Sequence, residues 1–177
     1  MGVQTTDWSN ALSEATGGRI HPDEVARAVI KDLASEYREG LLVIEGAVST
    51  VRRLAAQTAV GLVSGSPLSL IQLVLELTAL TDSFQVAMSA DDVERGKPAP
   101  DPYLGLARRM DVSPGSCVAV EDSANGIRSA YSAGMAVVAI PRGVHRPAPE
   151  VLASAAAVLD DIADLTPALL ERVVART

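Results

Sequence analysis

From about Leu41 onward, short apolar runs alternate with stretches of helical period, and this alternation restricts the possible folds more than any other feature of the chain. Strands that are each followed by a helix pair in parallel, with the helices covering the sheet faces. The body therefore reads as an α/β fold, a Rossmann-like and mostly parallel sheet flanked by helices. Strands are expected over residues 59–63, 84–88, 117–120 and 136–140, with a weaker edge strand within 155–159. A helix over 48–56 leads into the first strand. After that strand Ser66 caps, Pro67 takes the first helical position, and Leu70, Ile71, Val74, Leu77 and Leu80 line one face. Further helices open at Asp101-Pro102, run from Ala124 to a stop at Gly134, and start at Thr166-Pro167.

Residues 1–40 differ in kind. They carry two helical segments, 8–15 and 22–38, separated by Gly17-Gly18, with Val25, Val29 and Leu33 four apart on the second and Gly40 closing it. Trp8, the sole tryptophan, is expected to anchor this appendage by packing. His21 belongs at a helix start and His145 in a loop rich in Gly and Pro. Neither has a partner motif for metal binding or base catalysis.

Composition excludes several classes of function. Apolar residues at 48% suffice for a packed core, and the net charge of -7 comes without clustered Lys or Arg, which argues against a nucleic-acid partner. Residues 1–10 lack the basic and apolar regions of a signal peptide, and the most apolar stretch, 68–80, contains Gln72 and Glu76 and is too short to span a bilayer. No membrane partner and a cytoplasmic location are expected. Cys117 is the only cysteine, so no intramolecular disulfide can form, and its apolar neighbours place it in a buried strand.

Three motifs carry chemistry. Ligands of open parallel sheets sit beyond the carboxyl ends of the strands, where helix N-termini present N–H groups to anions. Ser64, Gly65 and Ser66 hold that position after the first strand and suit phosphate binding; the same residues also suit a turn and cap. Lys97 follows Gly96 and precedes prolines at 98, 100 and 102, so its ammonium leaves a stiff loop; the alternative is a solvated surface charge. Glu121 and Asp122 end an apolar strand and suit magnesium, which takes one or two carboxylates and keeps several waters; the alternative is a helix cap at Asp122 or Ser123. Asp91-Asp92 is a second acidic pair, read as a cap or a solvated turn.

Residues 60–66, 96–103 and 118–123, followed by Gly126-Ile127 and Ala133-Gly134-Met135, together resemble the haloacid dehalogenase-like superfamily, in particular its β-phosphoglucomutase-like branch with a helical cap. The resemblance implies a partial helical cap in residues 1–40 and a core in 41–177. It further implies that Ser64, with Gly65 and Ser66, holds the phosphoryl group and that Lys97 is the third-motif lysine. Glu121 and Asp122 then position Mg2+, with Lys97 and Asp122 as the catalytic members. A magnesium-dependent phosphatase or phosphomutase acting on a small phosphorylated metabolite follows. The family's nucleophile lies in an Asp-x-Asp motif at the end of the first core strand, and no such motif stands here: Asp7 precedes Trp8 and Ser9 with no apolar strand before it.

Two expectations follow from that departure. The first core strand, which the resemblance places between the strands ending at Ser64 and Glu121, is missing, and the chain is an N-terminally truncated form, inactive alone. Two open strand edges then favour self-association. The alternative function is a non-catalytic module that binds phosphate and metal. A receiver-like signalling domain is disfavoured because hydroxyl and lysine here precede the acidic pair, and a dinucleotide-binding fold because no G-x-G-x-x-G follows a strand.

Overall fold

The structure, a computed structural model, describes residues 4–143 and 146–175. His145 lies outside the described residues, as do the first three residues of the stretch read for a leader. The element order is α1 (Thr5–Ala15), α2 (Pro22–Gly40), α3 (Ala47–Ala55), β1 (Gly61–Ser64), α4 (Leu68–Leu77), β2 (Val86–Ser89) and α5 (Asp101–Arg109). It continues through β3 (Val118–Glu121), α6 (Ala124–Ser132), β4 (Ala136–Ala139), the short α7 (Pro149–Leu152), β5 (Ala157–Val158) and α8 (Pro167–Val174). The fold is α/β, and every strand pairing is parallel, as the alternation of elements requires.

The strands form two sheets. β1 pairs with β2 from Gly61↔Val86 to Ser64↔Ser89, and β4 lies between β3 and β5, with Val118↔Ala136 and Glu121↔Ala139 closing the β3–β4 register. Among the described residues β1 and β3 share no ladder. The two sheets nevertheless share one core, in which Val63 of β1, Met88 of β2, Ala119 of β3 and Val137 of β4 pack with Tyr103 and Leu106 of α5 and Ile127 of α6. Gly61 permits the tight seat of α5 on β1, since a Cβ there would overlap the Met110 sulfur.

Several boundaries differ from the sequence reading for identifiable reasons. α4 ends at Leu77, not Leu80: Ala79 takes a left-handed φ of 52°, and the Leu80 amide closes the end by donating to Leu75 O at 2.8 Å. This is the hydrogen-bond pattern usually finished by glycine. Gly134, at φ 78°, stops α6 as expected. Cys117 lies one residue before β3 and is half-buried, its thiol donating to Ser113 O at 3.3 Å, and burial raises its pKa. The expectation of a buried strand cysteine is therefore corrected. Trp8 is half-buried, and the fully buried positions of α1 are Ser9 and Ser13. His21 caps α2, its Nδ1 accepting from the Asp23 amide.

Candidate active site

The Ser64-Gly65-Ser66 loop is built at the carboxyl end of β1. Ser64, the last residue of the strand, accepts a hydrogen bond on its hydroxyl from the Ser66 amide at 3.1 Å, so the side chain shapes the turn and keeps its own O–H free to donate. Ser66 does not cap α4: Pro67 stands at the N-cap with no side-chain bond, because the Ser66 backbone is already turned toward Ser64. From β2, buried Ser89 donates to Ser66 O at 2.8 Å and accepts from the Asp91 amide at 3.1 Å. One hydroxyl thus ties the loop after β1 to the loop after β2.

Lys97 is not a surface charge. It is only 8% exposed, and its Nζ donates to Val63 O at 3.3 Å and to Glu121 Oε1 at 2.5 Å. The ammonium spans from β1 to β3, the two strands without a common ladder. Beneath it lies the Tyr103 ring, 4.9 Å to the centroid, a cation–π distance. The Tyr103 hydroxyl donates to the same Glu121 oxygen at 2.6 Å, and Ser123 Oγ to the other at 3.2 Å. Burial and, secondarily, the Glu121 charge raise the Tyr103 pKa well above the ordinary phenol value, which keeps it a donor.

The segment carrying Lys97 is held from below. The Lys97–Pro98 peptide is cis, and the fully buried Ser129 of α6 donates to Ala99 O at 2.5 Å. Gly126 is required for the approach of Glu121, because a Cβ at that position would overlap the carboxylate. Tyr103, Ser129 and Gly126 escaped the sequence reading as site residues, since each sits on a helix face that reads as core. A hydroxyl among the apolar positions Ile127 and Ala130 was the available signal for Ser129.

The acidic pair divides its labour. Glu121 is buried and its two oxygens are engaged by Lys97, Tyr103 and Ser123. Ser123, not Asp122, caps α6 by accepting from the Gly126 amide at 3.0 Å. Asp122 is left exposed at the strand end, and among the described residues its carboxylate has no hydrogen bond or ion pair. A free carboxylate oxygen suits magnesium as a hard ligand, and Asp122 offers two, whereas Glu121 Oε1 is taken by Lys97 and Tyr103 and Oε2 accepts from Ser123. No group of three or more His, Cys, Asp or Glu side chains among the described residues makes a protein-only cage. Asp91, exposed in a turn as expected, is engaged as well, accepting from the Thr5 amide and hydroxyl at 2.8 and 2.6 Å.

A cleft of about 1140 Å³ separates the sheets, lined by β1 on one wall and residues 118–121 on the other, with Ser64, Lys97 and Asp122 on its lining. Asp122 is its only aspartate among the described residues.

Residues 2–134 match the haloacid dehalogenase-like hydrolase family. The chain is 37% identical over 117 residues to hexitol phosphatase B of Escherichia coli (strain K12), covering 66% of this chain and 51% of that protein. It is 30% identical over 154 residues to phosphoglycolate phosphatase of the same organism, covering 84% of this chain and 61% of that one. It thus spans between about half and three fifths of the length of these curated relatives. Among solved structures, β-phosphoglucomutase from Clostridium difficile superposes with a TM-score of 0.81 at 21% identity, covering 99% of this chain and 78% of that one, a likeness of fold. CbbY from Rhodobacter sphaeroides in complex with phosphate gives a TM-score of 0.77 at 25% identity over 86% of this chain and 70% of that one. With its parallel strands, buried lysine and family match over residues 2–134, the chain belongs to the haloacid dehalogenase-like hydrolases.

Proposed function

We propose that this chain supplies the phosphate grip and metal carboxylate of a magnesium-dependent phosphatase or phosphomutase acting on a small phosphorylated metabolite. The observation that carries the reading is the Lys97 ammonium, buried at the carboxyl ends of β1 and β3 and adjoining the Ser64 loop. A low-dielectric site strengthens the attraction of that charge for phosphoryl oxygens, and the Ser64 O–H adds a directional donor. Asp122 would hold Mg2+ together with waters and a phosphate oxygen, and the bound ion would offset charge on the transferring group. Glu121 keeps the ammonium in place through the ion pair, and Tyr103 and Ser123 keep Glu121 in place.

Turnover also needs a nucleophile. We infer that the cleft between the sheets takes an extended segment ending in an aspartate, which would pair with the edges of β1 and β3 and bring its carboxylate beside Lys97. Without such a segment the same residues bind and do not turn over, and the open edges favour self-association, seen as mass rising with concentration in sedimentation.

Relatives of this chain include a hexitol phosphatase and a phosphoglycolate phosphatase, which supports a small phosphorylated substrate. The test is calorimetric titration with inorganic phosphate, with and without MgCl2. Saturable binding that weakens at least about tenfold in Lys97→Met, and magnesium enhancement that disappears in Asp122→Asn, are expected. Equal binding by wild type and Lys97→Met would overturn the reading.

A further inference from the structure

The loop that delivers Lys97 is gripped by a residue 93 positions earlier in the chain. Gln4, at the N-cap of α1, uses its whole side-chain amide on this loop: Nε2 donates to Ala90 O at 2.7 Å and Val93 O at 3.0 Å, and Oε1 accepts from the Gly96 amide at 3.1 Å. Both donors and the acceptor of one amide thus bind backbone groups spread across residues 90–96. Gly96 is the last residue before Lys97, and a Cβ there would sit 2.6 Å from Gln4 Cγ, so the approach requires glycine. The Thr5–Asp91 bonds continue the contact, and Asp91 leads through Ser89 to Ser66 O.

We propose that Gln4 is a positioning residue for Lys97, a clamp that couples the seating of the helical segment to the geometry of the lysine and phosphate loops. The role in anion binding rests on the function proposed above; the clamp itself does not. Other contacts also hold the loop: Ser129 Oγ donates to Ala99 O from below, and Arg95 pairs with Asp101 and Arg109 with Asp92 through exposed arginine side chains, a weak kind of restraint. Gln4 is half-buried and holds backbone, so it restrains the path of the loop and not merely its side chains.

The experiment compares wild type, Gln4→Ala, Gly96→Ala and the double variant. Hydrogen exchange of the amides of residues 93–97 reads the clamp, the NMR resonance of the Lys97 ammonium reads its target, and inorganic phosphate affinity reads the consequence. Gln4→Ala is expected to speed exchange in that loop about tenfold while leaving β3 and β4 protected. It is also expected to broaden the Lys97 resonance and to weaken phosphate about tenfold.

Gly96→Ala alone gives the same result, and adding it to Gln4→Ala changes little further, because the clash partner is gone. Unchanged loop exchange and an unchanged Lys97 resonance in Gln4→Ala would overturn the clamp. If wild type binds no phosphate, the proposed function falls, and the exchange and resonance data still decide the clamp.

Discussion

The α/β body and the helical segment before it are held by different physics. In the body Met88, Ile127, Val137 and Val138 are fully buried, and even the charged Lys97 and Glu121 are only 8% exposed. In the segment, α2 buries no residue along its 19 positions and α1 buries two serines. α1 is held to the body by hydrogen bonds of Gln4 and Thr5 to residues 90–96 and to the turn before α2 by Ser13 Oγ donating to Ile20 O at 2.6 Å, while α2 packs on α4 with half-buried residues only. A region attached by polar contacts opens at lower free energy than one attached by buried apolar surface. The helical segment is accordingly expected to open more easily than the body.

The sharpest break in this contrast is charge burial in the body. Lys97→Met leaves the Glu121 carboxylate buried without its counter-ion and is expected to cost about 3–5 kcal/mol in denaturant unfolding. Adding Glu121→Gln should recover part of that loss by removing the orphaned charge; a double variant no more stable than the single would contradict the assignment. Ile127→Ala, at a fully buried position, should cost about 2–5 kcal/mol, whereas Val29→Ala, at a half-buried position of α2, should cost about 1 kcal/mol or less. Equal losses at the two sites would abolish the distinction between the regions.

Smaller effects sharpen the description of the site. Tyr103→Phe removes a hydrogen bond to Glu121 and should cost about 1.5–3 kcal/mol near neutrality. The folded-state phenol pKa is raised, so the stability it contributes is complete below the unfolded value of about 10 and is lost as pH rises from there through the folded value. The gap between wild type and Tyr103→Phe should accordingly narrow above about pH 10 in pH-dependent melts. A gap that widens there would contradict the raised value. Ser129→Ala should cost about 1 kcal/mol by freeing the Ala99 carbonyl.

Much of the body was legible in the sequence because hydrophobic period and turn chemistry agree there. The strand runs, the Gly134 stop, the placement of Ser64 and Glu121-Asp122 at strand ends and that of Lys97 in a stiff loop all follow from local pattern. Less legible were features that depend on contacts distant in sequence. Nothing local marks Glu121 as engaged by Lys97 and Tyr103 and Asp122 as free, since that division depends on which carboxylate faces the β1 side of the cleft. Gln4 reads as an ordinary polar residue, and its partners lie 86 to 92 positions away. The Schellman-type end at Ala79 was hidden because alanine carries no signal for a left-handed residue.

The most direct test of the central claim, that Ser64, Lys97 and Asp122 form a single phosphate and magnesium site, is a crystal structure of the chain grown with inorganic phosphate and magnesium. The account predicts the anion within hydrogen-bond distance of Lys97 Nζ and Ser64 Oγ, with the metal on the Asp122 carboxylate. An anion bound elsewhere, with Lys97 reaching only Glu121 and Val63, would contradict it.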